Sequence, residues 1–262
     1  MGRIPIKTDE DISKMREVGQ AAALVLDRMV NCVQPGVNTY DLDQMAYRFM
    51  KELGVQSACF NYAVRSKRYP SYTCISINEE VVHGIGRLDR VLCRGDCVSL
   101  DVVVRYQGFV GDNARTVLIE PASTEVAHLV QSTEAALYHG IKVAAKPGKR
   151  VGDISYAIQS FVERRRLSVV RDFVGHGIGR SMHEPPQIPN FGLRGTGPRL
   201  KSGMTLAIEP MVNMGSYPVD ITADGWTVVT KDRSLSAQWE HTLAVTADGF
   251  EVLTARSEEK WR

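Results

Sequence analysis

One pattern occurs twice along the chain, and it limits the available folds more than any other feature. Pro35-Gly36 followed by Asp41 matches Pro147-Gly148 followed by Asp153, a displacement of 112 residues. Leu92-x-x-Gly95 leads in six residues to Asp101, and Leu200-x-x-Gly203 leads in six residues to Glu209. Asp112-Asn113-Ala114-Arg115-Thr116-Val117 is loosely echoed by Glu240-His241-Thr242-Leu243-Ala244-Val245. Any single match between such common residue types is compatible with coincidence, but their shared order makes a duplicated unit of helix pair plus strands the better account. Each copy places two carboxylates at equivalent strand positions. A sheet with a pseudo-two-fold axis then brings four carboxylates together.

The helices of that unit are legible from apolar periodicity. The first is expected over about Asp9–Val33, through Ile12, Met15, Gly19, Ala22, Leu26, Met29 and Val33, with Thr8 as N-cap and Pro35-Gly36 as stop. The second is expected over about Asp41–Leu53, ending at Gly54. A third over about Thr124–Ala145 uses Val126, Leu129, Val130, Leu137, Ile141 and Ala144, and a fourth covers about Asp153–Arg165. The link near Ile119–Ser123 is too short to separate domains, so residues 1–262 read as one domain with halves at about 9–118 and 124–250. Pro185–Arg199 is rich in Pro and Gly, lacks periodicity, and reads as a long loop of the kind that carries function.

Two stretches concentrate carboxylates. Val98–Val104 is β-branched and apolar apart from Ser99 and Asp101, and Phe109–Ile119 is a second strand-like run. A hairpin folded about Tyr106/Gln107 sets Asp101 directly opposite Asp112. Two anions held at that spacing repel unless a cation lies between them, so a cation site is the favoured reading. Glu209 and Glu240 are equidistant from Asp224-Gly225, a hairpin turn signal, but the irregular residues between them leave a continuous ladder open.

The histidines are His83, His128, His139, His176, His183 and His241. His128 and His139 read as solvated helix residues. His176 lies in Gly175-His176-Gly177-Ile178-Gly179, where glycines permit close backbone approach. For each histidine taken alone, a structural hydrogen bond is the favoured reading over metal ligation.

Several chemistries are excluded. His183-Glu184-Pro185-Pro186-Gln187 is not HExxH, and its prolines forbid the helix that motif needs. GxSxG, GxGxxG and GxxxxGK[ST] are all missing. The five cysteines form no CxxC pair, which fits a reducing compartment, and Cys32, Cys93 and Cys97 read as buried. The longest apolar run, Ala21–Leu26, is far short of the roughly 18 residues of a membrane helix, and Met1–Lys7 has no apolar segment of secretory length. With 44% hydrophobic residues, 24% charged residues and a net charge of +2, the chain reads as a soluble globular protein without nucleic acid or membrane as main partner.

At this point the residues resemble a known family. Asp101, Asp112, His176, Glu209 and Glu240, in their order, spacing and local contexts, are similar to the five metal ligands of type I (bacterial-type) methionine aminopeptidases. The contexts are Ser99-Leu100-Asp101-Val102, Gly111-Asp112, Gly175-His176-Gly177-Ile178-Gly179, Ile208-Glu209-Pro210 and Gln238-Trp239-Glu240-His241. The resemblance extends from the first helix to about Leu253. It implies the α/β (α+β) pita-bread fold, a pseudo-two-fold antiparallel sheet flanked by two helix pairs.

It also implies two divalent metal ions (Co, Mn, Fe, Zn or Ni), with Asp101 on one, His176 and Glu209 on the other, and Asp112 and Glu240 bridging both. A bridging water or hydroxide would attack the scissile carbonyl of an initiator methionine whose neighbour is small. Glu209 would shuttle the proton, His183 would donate to the oxyanion, and His83 would contact the scissile amide nitrogen. The methionine pocket maps onto Cys59, Tyr62, Tyr69, Cys74, Met182 and Trp226, with about four additional residues in Ala63–Arg68 and Met182 standing where many relatives carry an aromatic residue. Asn78, Glu80 and Ser236 correspond to a monovalent-cation site in some relatives, and equally read as plain turn residues. Nascent polypeptide N-termini are the implied partners, with the ribosome as a further one and a cytoplasmic monomer as the working form. Arg164-Arg165-Arg166 reads as a solvated helix end, with a ribosomal RNA contact as the alternative. Two other functions stay open: a non-catalytic homologue binding ribosome or nucleic acid, and a peptidase acting at Xaa-Pro bonds.

Overall fold

Local capping decides where the helices begin. A computed structural model describes residues 3–256 and residue 259. Met1 and Gly2, which head the N-terminal stretch read above, lie outside the described residues, as does the side chain of Ala144. Helix α1 (Asp9–Val30) opens with a capping box between Thr8 and Asp11. It stops three residues before Val33 because Cys32 N and Val33 N bond to Met29 O and Val30 O, tightening the last turn. Helix α2 (Thr39–Glu52) starts two residues earlier than periodicity indicates, because Asn38 Oδ1 accepts from Asp41 N at 2.8 Å. Helix α3 is Thr124–Ala144. Helix α4 (Val151–Glu163) likewise begins early, with Asp153 Oδ2 accepting from Arg150 N at 2.8 Å.

The repeated motif has a repeated structure. Gly36 N donates to Leu92 O and Leu92 N to Val37 O; Gly148 N donates to Leu200 O and Leu200 N to Lys149 O. Each Pro-Gly turn is thus tied by the same two bonds to the loop that leads into a carboxylate-bearing strand.

The strands follow in order as β1 (Cys74–Ile77), β2 (Glu80–Val82), β3 (Cys97–Tyr106), β4 (Phe109–Leu118), β5 (Gly175–Gly177), β6 (Glu184–Ile188) and β7 (Thr205–Ile208). After them come β8 (Met211–Asn213), β9 (Val219–Ile221), β10 (Val228–Thr230), β11 (Ser236–Gln238), β12 (Glu240–Val245) and β13 (Phe250–Val252). The main sheet runs β3-β4-β12-β7-β5-β6, all antiparallel, with β1 and Gln56–Ser57 on β3 and β13 on β12.

Register corrects one expectation. The β3–β4 turn is Gln107-Gly108, with φ of 48° and 80°, so Tyr106 pairs with Phe109. Two successive positive-φ positions suit the tight hairpin turn, and glycine takes one of them. Asp101 therefore faces Ala114, and Asp112 faces Val103. The slip is even-numbered, so both carboxylates keep the same face as diagonal neighbours.

The second hairpin resolves what the sequence left open. Ile208 pairs with His241, Met211 with Gln238, and Ile221 with Val228, all in one register centred on Asp224-Gly225. Glu209 and Glu240 are the next opposed pair of that register, at the break made by Pro210, which has no N–H to donate.

Pro185–Arg199 also departs from expectation, because its first residues belong to β6. The β5–β6 register shifts between Glu184 and Gln187, at the two prolines, and β6 ends the sheet. An edge strand with a bulge is where proline is tolerated.

Two apolar clusters fix the layers. Met15, Leu26, Leu42 and Met50 of α1 and α2 pack with Leu100, Val102 and Val104 of β3. Leu129, Leu137, Ile154 and Ile158 of α3 and α4 pack with Leu206, Ile208 and Leu243. Gly111 permits α1 to lie on the sheet next to Asp112, since a Cβ there would fall 2.8 Å from Val18 O. No helix among the described residues is long and apolar enough to cross a membrane. Cys97 is buried as expected, but Cys93 is exposed and Cys32 half-buried; Cys93 sits in the turn before β3, outside either apolar cluster.

Candidate metal centre

The five acidic and imidazole residues come from five separate strand positions. Asp101 projects from β3, Asp112 from β4, His176 from the middle of β5, Glu209 from just past β7, and Glu240 opens β12. Adjacent pairing of β4, β12, β7 and β5 carries them to one place. Ligand atoms of Asp112, His176 and Glu240 lie within 4.8 Å of one another. His176 Nε2 is 3.5 Å from Glu209 Oε1 and 3.9 Å from Asp112 Oδ2. Asp101 stands beside Asp112 in the same cavity lining.

Backbone contacts hold this set. Asp112 N donates to Thr242 Oγ1, whose hydroxyl donates back to Asp112 O at 2.8 Å. Asn190 Nδ2 donates to Glu209 O at 3.1 Å, and Gln238 Nε2 lies 3.4 Å from Glu209 Oε2. His176 Nδ1 lies 3.0 Å from Gly177 O, which can only accept, so the proton sits on Nδ1 and the Nε2 lone pair faces the carboxylates. Glycines flank His176 because a Cβ at Gly175 or Gly177 would collide with Ala207 O or Pro185 O.

The electrostatics call for a cation. Burial pushes the Asp101 carboxyl up to about 7, and Asp112, Glu209 and Glu240 well above the ordinary range, with mutual repulsion adding to burial for these three. Asp101 Oδ1, Asp112 Oδ1 and Glu240 Oε1 are buried without a hydrogen-bond partner. Burial lowers the His176 imidazolium to about 3, leaving it neutral. Orphaned carboxylate oxygens around a neutral imidazole nitrogen fit divalent metal ions, with the imidazole favouring transition metals.

This cluster floors one end of a cavity of about 320 Å³. Cys59, Tyr62, Tyr69, Cys74, Met182 and Trp226, the expected methionine pocket, all line it, as do His83 and His183. The additional residues add Val64 to the cavity wall. Ala63-Val64 and Lys67-Arg68 pair as an exposed hairpin, while Tyr69 N donates to Tyr62 O and returns the chain to the cavity. Tyr69 meets Trp226 edge-on at 5.3 Å and donates to Gly84 O at 2.8 Å. His83 is half-buried with φ of 60°, lies edge-on to Phe173 at 5.5 Å, and its imidazolium is lowered by desolvation to about 4. His183 packs edge-on to His176 at 4.5 Å, with Nδ1 2.8 Å from Tyr62 Oη.

The remaining expected positions lie elsewhere. Asn78 O accepts from Ser236 N at 2.8 Å, while the Glu80 carboxylate accepts from Ile77 N. Arg164 and Arg166 are exposed beyond α4, and the Arg165 guanidinium lies 3.5 Å above the Phe161 ring.

Comparison with known proteins agrees with this arrangement. Residues 13–247 match the model of metallopeptidase family M24. The chain belongs to that family. Within M24 it stands with the bacterial methionine aminopeptidases: methionine aminopeptidase B of Synechocystis sp. is 47% identical over 247 residues, 93% of this chain and 89% of that protein. The solved structure of methionine aminopeptidase from Rickettsia prowazekii superposes with a TM-score of 0.93 at 44% identity, covering 97% of this chain and all of that one. Prolidase from Pyrococcus furiosus shares the pita-bread fold at a TM-score of 0.75, with 20% identity over 97% of this chain and 66% of its own. That likeness shows fold alone.

Some residues around the site escaped the sequence reading. Asn190, Gln238 and Thr242 act through backbone or carboxylate contacts, and an amide or hydroxyl carries no motif for that. Asn190 did fall inside the Pro-rich stretch singled out as functional. Phe173, against His83, is an aromatic residue just before the His176 motif and had only proximity to mark it.

Proposed function

We infer that this chain is a metal-dependent aminopeptidase that removes the initiator methionine from nascent proteins whose second residue is small. The observation that carries the reading is the buried Asp112, His176 and Glu240 cluster opening onto a cavity walled by thiols, a thioether and aromatic rings. In this reading Asp101, Asp112, His176, Glu209 and Glu240 would together hold the divalent cations. Cobalt, manganese, iron, zinc and nickel all suit the mixed oxygen and imidazole set. When bound, the cations supply Lewis acidity at the scissile carbonyl and make an attacking water acidic near neutral pH.

The chain's own residues do the rest. Cys59, Cys74, Met182 and Trp226 surround the methionine side chain with polarizable, apolar groups suited to a thioether. Glu209, held proton-hungry by burial, takes a proton from the water and returns it to the leaving amine. Tyr62 donates to His183 Nδ1, which leaves Nε2–H to meet the developing oxyanion. His83, neutral in its half-buried site, faces the scissile amide, and the two imidazoles bound the room for the second residue. The substrate places the enzyme in the cytoplasm with nascent chains, and the five free cysteines fit that compartment.

The test is hydrolysis of Met-Ala-Ser and of Met-Lys peptides by protein reconstituted with manganese or cobalt. The first is cleaved and the second spared. Intact Met-Ala-Ser with every transition metal would overturn the reading.

A further inference from the structure

His241 directly follows Glu240 on β12, so its side chain takes the opposite face of the strand. It is fully buried, and neither the proton transfer nor the methionine pocket uses it. Its partners come from the segment after β13. Glu259 Oε1 lies 3.1 Å from His241 Nε2, and Thr254 Oγ1 lies 2.9 Å from Nδ1. Arg256 Nη2 and Tyr138 Oη donate to the same Glu259 oxygen at 2.5 and 2.6 Å, which keeps that carboxylate ionised. An ionised carboxylate only accepts, so the ring proton sits on Nε2 and Nδ1 accepts from the Thr254 hydroxyl.

The same hydrogen bonds continue to the strands that carry the metal-site carboxylates. Thr254 Oγ1 also accepts from Thr242 N at 3.0 Å, and the Thr242 hydroxyl exchanges two bonds with the Asp112 backbone. One relay thus runs from Glu259 through His241, Thr254 and Thr242 to Asp112, passing beside Glu240. His241, Thr242 and Thr254 have no exposed surface, so a partner lost there leaves a polar group unsatisfied. Such a network holds one geometry only while every member is bonded.

We propose that Glu259 is a positioning residue for the metal centre: its bond to His241 fixes the backbone of Glu240 and, through Thr254 and Thr242, that of Asp112. The inference rests on the metal-centre reading and gives the segment after β13 a part in it. Ligand atoms of Asp112 and Glu240 lie within 4.8 Å of each other, and the two carboxylates repel. A backbone free to yield lets them move apart and weakens their joint hold on a cation.

Calorimetric titration of manganese into the full chain tests it, with circular dichroism to show that each variant is folded. Glu259→Ala should raise the manganese Kd about tenfold to a hundredfold, the usual effect of removing an outer partner of a metal ligand. Glu259→Gln keeps an oxygen that can accept from His241 Nε2 and should raise it by less. Ile158→Val, a cavity-forming change in the apolar cluster of α3 and α4, controls for lost stability and should leave the Kd unmoved. A Kd for Glu259→Ala no higher than that of Ile158→Val would overturn the positioning role while leaving the metal centre intact. Should Glu259→Ala not fold, Thr254→Val cuts the same relay at its hydroxyl, and an unmoved Kd there overturns the role. No manganese binding by the unaltered chain would overturn both readings.

Discussion

Lys7 Nζ and Glu184 Oε2 form an ion pair of 2.5 Å, with side chains only 6% and 10% exposed. It joins the segment before α1 to the residue following His183, and Glu184 also fixes the Arg180–Ser181 backbone. The loop that carries Met182 and His183 is thereby anchored to the chain's N-terminal segment.

Lys7→Met should destabilise the fold more than a surface substitution. Removing one partner leaves a buried carboxylate without its counter-charge, a loss of about 3 kcal/mol, or roughly 8 °C in melting temperature at this chain length. The double variant Lys7→Met/Glu184→Gln should recover most of that loss, because no buried charge is left alone. Thermal melts of the two variants check this; equal melting temperatures for them would show that the pair is not coupled.

Tyr62→Phe should lower kcat by about tenfold to a hundredfold, with a smaller change in KM. The Tyr62 hydroxyl lies 2.8 Å from His183 Nδ1; in the proposed function it donates there and so holds the ring proton on Nε2, while the phenyl ring keeps its place in the pocket wall. Nitrogen-15 NMR of labelled histidine reads the tautomer directly. A His183 ring whose Nδ1 signal is the same in both proteins would remove Tyr62 from this role.

The candidate metal-binding set was more legible than the architecture around it. Asp101 and Asp112 stood out because carboxylates in apolar strands are costly and need a reason, Glu209 and Glu240 only through their symmetry about Asp224-Gly225, and His176 joined them through the family resemblance alone. The even-numbered periodicity of strands kept Asp101 and Asp112 on one face even though the turn lies one residue further along, at Gln107-Gly108. Helix starts were misjudged where Asn38 and Asp153 recruit backbone N–H groups ahead of the apolar stripe. The bonds from Asn190 to Glu209 and from Lys7 to Glu184 depend on which loops the fold brings together, and no local pattern encodes that.

Glu209→Gln should keep the fold while kcat falls by about two to four orders of magnitude. The amide is close in shape and can still contact Gln238, so packing is preserved, but it cannot take up the proton. Turnover of Met-Ala-Ser, with circular dichroism as the fold control, measures the effect. An unchanged rate would take proton transfer away from Glu209.

Chelation should make stability depend on pH in a direction opposite to that of most carboxylates. Asp101 rises from an ordinary 3.8 to about 7, first through burial, and Asp112, Glu209 and Glu240 are raised with it. A carboxyl whose folded value exceeds its unfolded value holds its proton more tightly when folded. Its contribution is therefore intact below the unfolded value and is lost as pH climbs through the folded one. For Asp101 that window runs from 3.8 to about 7. In EDTA the melting temperature should drop between about pH 4 and about pH 7. With saturating manganese the drop should vanish or reverse, because a cation competes with protons for the same oxygens and binds better as they leave. Differential scanning fluorimetry across this range, with and without metal, makes the comparison. Parallel slopes in the two conditions would mean that these carboxylates do not share a cation.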